Sequence, residues 1–106
     1  MAEPTTDIQV RHNEGERRFE AEVDNHLALC EYAMTQEGMC FTHTEVPSAL
    51  SGRGIGSLLA KAGMDHARRA GLQVVPQCAF IAAYVKKHPE CHDLVHPDHR
   101  QALGIA

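Results

Sequence analysis

The chain has 106 residues, of which 43% are hydrophobic and 23% charged, a composition typical of one globular domain with a modest core. Its formal net charge of −4 argues against nucleic-acid binding, and no apolar run approaches the ~20 residues that span a bilayer. The acidic, polar start is neither a signal nor a transit peptide. We therefore expect a cytoplasmic protein without nucleic-acid or membrane partners, with residues 1–6 flexible and residues 7–106 forming one domain.

The first half of the chain predicts four β-strands. Apolar and polar residues alternate there with the period of two that half-buried strands show. The alternating segments are residues 8–10, 18–23, 26–35 and 39–44. In the last segment, regular alternation puts His43 on the same face as Phe41 and opposite Thr44. Because short turns join neighbouring segments, we expect an antiparallel meander.

The second half of the chain predicts mainly helices. Apolar residues recur at helical spacing over residues 55–70 and again over residues 79–87, where Phe80 belongs to the apolar side. Residues 72–75 predict a short fifth strand between these helices, and residues 97–104 predict one more short helix. The order of four strands, helix, strand and helix predicts an α+β domain with helices covering an antiparallel sheet.

Four cysteines and eight histidines raise the questions of disulfides and metals. The cysteines have no close spacing and no secretory context, so we expect free thiols. Ligand-type residues gather at Cys91, His92, His96 and His99. Structural zinc sites usually contain two closely spaced pairs, and no second cysteine pair exists here, so we expect no metal site.

The most informative segment is Gly52-Arg53-Gly54-Ile55-Gly56, between the fourth strand and the first helix. Three glycines in five residues let the backbone turn tightly and approach a ligand closely. The helix that follows has unpaired N–H groups at its start, and such groups bind phosphates. A plain strand–helix connection is the alternative interpretation.

Three further blocks accompany this turn. They are Thr42-His43-Thr44-Glu45-Val46-Pro47, Val75-Pro76-Gln77-Cys78-Ala79-Phe80, and Tyr84 with His88-Pro89-Glu90. In this order the four blocks resemble the GCN5-related N-acetyltransferases (GNATs), in particular their small, single-domain YjdJ-type members. The resemblance covers residues 7–95. It implies a minimal GNAT fold, acetyl-CoA as cofactor, and acetyl transfer to a protein lysine, an N-terminus or a small amine.

The resemblance also implies which residues bind the cofactor. The GNAT turn pattern is Gln/Arg-x-x-Gly-x-Gly/Ala, and Ser51 stands here at its first position. That departure puts one side-chain phosphate contact in question but leaves the backbone cradle, and Arg53 could supply positive charge instead. The cradle residues are Gly52, Arg53, Gly54, Ile55, Gly56 and Ser57. The strand through Thr44 and Val46 is expected to pair with the pantetheine arm and the acetyl group.

Three residues are candidates for catalysis. The resemblance places Cys78 beside the thioester, as a nucleophile or as the acid that protonates the CoA thiolate, and simple packing is the alternative. His43 is the candidate general base, because imidazole titrates near neutral pH, and a histidine hydrogen-bonded in the sheet is the alternative. Tyr84 is a second candidate proton donor near the CoA sulfur, or else a core aromatic residue.

Two other functions remain beside N-acetyl transfer. The chain could be a CoA- or acyl-CoA-binding module with little transferase activity, or a protein-interaction domain on the same scaffold. The small size leaves no extra loops to enclose an acceptor, so we expect an open, shallow acceptor site. The net negative charge favours a cationic acceptor.

Overall fold

The computed structural model describes residues 8–105, which form one mixed sheet, three α-helices and three short 3-10 helices. The strands are β1 (Arg11–Asn13), β2 (Arg18–Val23), β3 (His26–Thr35), β4 (Gly38–Glu45) and β5 (Val74–Pro76). The helices are α1 (Ile55–Ala70), α2 (Ala79–Lys87) and α3 (Pro97–Leu103). None of these helices combines the length and apolar character needed to cross a bilayer. The predicted flexible segment at residues 1–6 lies outside the described residues.

The sheet has the strand order β1-β2-β3-β4-β5. The first four strands are antiparallel neighbours, so the predicted meander is confirmed. β5 runs parallel to β4, because the connection between them crosses over the sheet through α1. The predicted α+β class is confirmed.

Two strands begin later than the sequence pattern predicts. The first strand is Arg11–Asn13, where residues 8–10 were expected, because Arg11 and Asn13 both reach the carboxylate of Glu20 on β2. The fifth strand begins at Val74 because the end of α1 takes up the preceding residue. Gly71 adopts a left-handed φ of 71°, and Leu72 N–H donates to the carbonyl of Ala67 at 2.8 Å.

The core lies between the sheet and the two longer helices. α1 packs on β2, β3 and β4, α2 packs on β4 and β5, and the two helices contact each other. Gly63 allows α1 to approach the sheet closely, since a Cβ there would lie 2.8 Å from the buried ring of Phe41. This close packing fixes the start of α1 relative to β4.

Glu20 is buried although it belongs to the polar half of the β2 alternation. Only 2% of its surface is exposed, on the sheet face away from the core cluster. Its carboxylate accepts hydrogen bonds from Arg11, Arg18 and Asn13. The bond from Arg18 is the main reason that the pKa of Glu20 lies below its usual value, so the carboxylate stays charged.

Candidate active site

A cleft opens where β4 and β5 separate. The parallel pairing covers only Met39–Phe41 of β4, and the last bond across the gap runs from Cys78 N–H to the carbonyl of Phe41 at 2.9 Å. β5 ends at Pro76, and the chain then turns into α2. On the side away from β3, residues 42–46 therefore have no backbone partner within the described part of the chain.

A β-bulge sets the direction of the side chains along this open edge. The register between β3 and β4 shifts so that Glu31 faces His43 but Tyr32 faces Phe41, which leaves Thr42 as an extra residue on β4. Beyond the bulge, Thr44 pairs with the buried Cys30 and so points toward the core side. His43 points the other way, and the prediction that it shares a face with Phe41 is wrong because alternation does not anticipate the bulge.

Thr44 lies between two cysteines. Its Oγ1 is 3.3 Å from Cys78 Sγ, and it donates to Cys30 Sγ at 3.6 Å. Burial raises the pKa of Cys30 to about 11, so this thiol remains protonated at neutral pH. Cys78 is only partly buried, at the N-cap of α2. All four cysteines are free, and in this pair Cys78 is the sulfur that a ligand in the cleft can meet.

His43 is exposed on the outer face of the sheet. Its Nε2 lies 3.3 Å from Glu45 Oε1, and Glu31 is its partner residue on β3. Since Thr44 and Cys78 lie on the core side of β4, the structure does not bring His43 and Cys78 together. The role of His43 as general base stays a prediction.

Tyr84 lies further along α2, between that helix and α1. Its ring stacks on His88 with centroids 3.9 Å apart, and burial raises the pKa of its hydroxyl, which therefore keeps its proton. It lies six positions after Cys78, or ~9 Å along the helix axis. Tyr84 borders a small pocket of about 90 Å³ that also contains Ser57 and Phe80. Its role as proton donor stays a prediction.

The glycine-rich turn lines an adjoining pocket of about 260 Å³ at the start of α1, which shares Ser57 and Phe80 with the smaller one. Six of the eight predicted cofactor residues line it, namely Val46, Gly52, Gly54, Ile55, Gly56 and Ser57. Gly52 and Gly54 have left-handed φ values of 81° and 74°, which explains glycine at both positions. No side chain caps α1, so its first N–H groups face the pocket without a side-chain partner.

Arg53 does not line this pocket. Its Nη1 binds Asp24 Oδ2 at 3.0 Å, which joins the cradle to the turn between β2 and β3. No local pattern indicates this pair, because 29 positions separate the two residues. A phosphate contact from Arg53 stays a prediction and would compete with Asp24.

Three further residues line the pocket: Ser51, the residue that departs from the turn pattern, and Leu50 and Phe80, which were not anticipated. Leu50 is buried at the base, as part of a single 3-10 turn over Ser48–Leu50. Phe80 forms a wall and is 41% exposed, which corrects its assignment to the apolar side of α2. It lies over Gly56, where a Cβ would be 2.7 Å from the Phe80 ring. The only feature of the sequence that could have indicated this role for Phe80 is that a large apolar residue stands two positions after Cys78.

Two features define the class of this domain. Strands β4 and β5 separate next to a bulge, and beside them a helix without a side-chain cap begins at a glycine turn. This is the architecture of an acetyltransferase domain. A family model described as GCN5-related N-acetyl-transferase matches residues 18–94. Protein NATD1 of Xenopus tropicalis is 36% identical over 91 residues, which are 82% of this chain and 83% of that protein. Protein NATD1 of Homo sapiens is 36% identical over 86 residues, 77% of this chain and 75% of that protein.

A solved structure agrees with these sequence matches. The solution structure of a GCN5-like protein from Staphylococcus aureus superimposes with a TM-score of 0.67 at 27% identity, covering 85% of this chain and 89% of that one. The chain belongs to the GCN5-related N-acetyltransferase family. The family and fold predicted from the four sequence blocks are confirmed, while the YjdJ-type subgroup stays a prediction.

Proposed function

We propose that this protein binds acetyl-CoA and transfers the acetyl group to an amine. The observation that supports this most strongly is the continuity of the cleft. Val46, which directly follows the end of β4 and lines the pocket of about 260 Å³, lies two residues beyond Thr44, and Phe80 of the same pocket lies two residues beyond Cys78. Two strand residues span ~7 Å. One extended ligand can therefore reach both the cradle and the Cys78 thiol.

The residues present fit the two parts of coenzyme A. The free N–H groups at the start of α1 suit a diphosphate. The open edge of β4 offers N–H and C=O groups to the amides of a pantetheine arm, as an edge strand does to a peptide. When bound, acetyl-CoA supplies a reactive thioester carbonyl.

Cys78 supplies the proton for the leaving group in this proposal. The amine nitrogen forms a bond to the acetyl carbon, the C–S bond breaks, and its electron pair passes to the CoA sulfur. Cys78 then gives its Sγ proton to that sulfur and regains one from solvent. Thr44 holds the Cys78 side chain in place through its hydroxyl, 3.3 Å away. This is direct transfer, without an acetyl group on the enzyme.

The acceptor amine approaches from the outer face of β4. Glu31, His43 and Glu45 lie together there, next to the bulge, and their charge favours a cationic amine. His43 takes the proton that the amine must lose before it attacks. The acceptor class is accordingly an exposed protein amine or a small polyamine.

Calorimetry with CoA and a thiol-release assay with acetyl-CoA test the proposal on peptide and polyamine acceptors. We expect CoA binding in the wild type and in Cys78→Ala alike, with turnover lower by ~10²–10⁴-fold in the variant, as is typical when a general acid is lost. Intact-mass measurement of wild type with acetyl-CoA should show no acetyl adduct, whereas an adduct on Cys78 would establish the nucleophilic route.

Other outcomes identify the alternative functions. A protein that binds CoA but turns over no acceptor is a CoA-binding module. A protein whose melting temperature and calorimetric signal do not respond to CoA has neither activity, and a protein-interaction role then remains.

A further inference from the structure

Three metal-ligating side chains meet far from the cleft, between the β3–β4 turn and the start of α3. Glu37 belongs to the turn, His96 is the N-cap of α3, and His99 lies in its first turn. One ligand atom from each lies within 4.8 Å of the other two. His99 Nε2 and Glu37 Oε1 are 2.9 Å apart although 62 positions separate them in the chain.

The local backbone fixes both histidines in place. His96 N–H donates to the carbonyl of Val74 on β5 at 2.9 Å, and His96 Nδ1 accepts from the N–H of Asp98 at 3.1 Å. A spacing of three residues brings His99 to the same side of the helix. The two rings lie edge to face, with centroids 5.7 Å apart. The histidines are therefore held side by side before any ion arrives.

We propose that Glu37, His96 and His99 form a binding site for a divalent transition metal, with zinc as the preferred ion. Two imidazoles and one carboxylate are ligands that suit zinc, and an open fourth position accepts water. Zinc–ligand bonds of ~2.0–2.1 Å place tetrahedral ligand atoms ~3.3 Å apart. The present separations of 2.9 Å and at most 4.8 Å reach this value through side-chain rotation.

This site shares His96 and His99 with the segment where the sequence predicts no metal site, but it does not include the other two residues considered there. Cys91 is buried on another surface, in a pocket with Tyr84 and Lys61, and His92 Nε2 bonds to the carbonyl of Val85. Neither belongs to the cluster. The third ligand is Glu37, which only the folded chain brings to the two histidines.

The proposed ion would join the β3–β4 turn to α3. Glu37 precedes β4, whereas Thr44 lies near its other end, ~20 Å away at the usual rise of a strand. Binding should therefore stabilise the fold without taking part in acetyl transfer. In the absence of metal, the His99 ring donates its Nε2 hydrogen to Glu37, and the ion would replace that hydrogen.

Zinc titration tests the proposal. The protein carries no affinity tag, and a chelator first removes any bound metal. We expect one zinc per chain by calorimetry, and a melting temperature raised by roughly 10 °C at a free zinc concentration of about 100 times Kd. His99→Gln keeps a donor for Glu37, and His96→Asn keeps an N-cap acceptor. Each should melt near the wild-type temperature without zinc and bind zinc at least about tenfold more weakly.

The exposed His26, at the start of β3, provides the matched control. His26→Gln should bind zinc as the wild type does. Cobalt absorption identifies the ligands, because sulfur ligands give a strong charge-transfer band in the near ultraviolet and nitrogen and oxygen ligands do not. Three results would each overturn the proposal. They are a failure to bind zinc in a one-to-one ratio, the appearance of a thiolate band with cobalt, and wild-type zinc affinity in either histidine variant.

Discussion

Thr44 has one hydroxyl hydrogen and two sulfur neighbours. In the resting arrangement the hydrogen points to Cys30, whose raised pKa keeps that thiol neutral, so Thr44 can accept from the Cys78 thiol. In the proposed transfer, Cys78 gives up its proton, and the hydroxyl can then turn and donate to the new thiolate. A rotation about one bond thus serves both protonation states of Cys78.

Thr44→Val tests this role, because valine keeps the shape and removes the hydroxyl. A hydrogen bond to a charged group is worth ~1.5 kcal/mol at the low end, so we expect about tenfold slower turnover and slower alkylation of Cys78, with CoA affinity unchanged. Thr44→Ser should restore both rates. Thr35→Val, at the far end of β3, removes a hydroxyl that bonds only to the turn and should leave both rates unchanged. Equal effects at Thr35 and Thr44 would contradict the assignment.

Glu20 gives a prediction for acid stability. Its hydrogen bonds to Arg18, Asn13 and Arg11 lower its pKa in the folded chain, so the folded state favours the charged carboxylate more than the unfolded chain does. This stabilisation is present above the ordinary glutamate pKa of ~4.3 and is lost as the pH falls through the lower folded value.

Glu20→Gln removes the stabilisation that the charged carboxylate provides. Urea unfolding at neutral pH should show the variant to be less stable, and the difference from wild type should shrink as the pH falls below ~4. A stability difference that is constant with pH would mean that packing, and not charge, accounts for the effect.

At the scale of elements, periodicity was sufficient to predict the second to fourth strands and the two longer helices, because each buries one face. It failed where pairing between strands decides the outcome. β1 is placed by its bonds to Glu20, and the bulge at Thr42 is a feature of register that alternation cannot express. For the site, the glycine pattern predicted the turn before α1, which lines a pocket, and the family resemblance singled out Cys78. The contacts of Thr44 and Arg53 depend on distant residues, which neither could indicate.

The two ends of α1 allow a matched test of the cradle. Gly54 caps the start of the helix and Gly71 its end, both with left-handed φ, and a Cβ on either would meet no atom within 4 Å. Alanine at each should therefore cost a similar ~1–2 kcal/mol of stability through backbone strain alone. Only Gly54→Ala adds a methyl group at the proposed diphosphate site, so only this variant should lose CoA affinity by calorimetry. Equal affinities in the two variants would exclude the cradle.

At the scale of the whole molecule, the ion pair between Arg53 and Asp24 connects the cradle to the turn between β2 and β3. Both members lie at the surface, and Asp24 is 72% exposed on its side chain. The pair is a weak link in water, where such bridges contribute ~0.2–1 kcal/mol. The location of this ion pair matters more than its strength. Arg53 stands within the glycine-rich turn itself, and the pair keeps its positive charge on Asp24.

Asp24→Asn should release Arg53 toward a bound phosphate. Asparagine tolerates the left-handed φ of 52° at this position, so the turn should keep its shape. We expect CoA affinity to rise by up to about fivefold at low salt, and to fall in Arg53→Gln. Both changes should diminish at high ionic strength. Weaker binding in Asp24→Asn would instead show that the ion pair orients the cradle.

The open edge of β4 also offers a place where two molecules of this protein could pair. Unpaired N–H and C=O groups at residues 42–46 offer a template on which a strand from a second molecule could add, and proteins usually protect such edges. Here, a pantetheine arm in the cleft would cover that edge. If the protein binds coenzyme A as proposed, the coenzyme would also suppress aggregation, and cells short of coenzyme A would hold this protein in its most association-prone form.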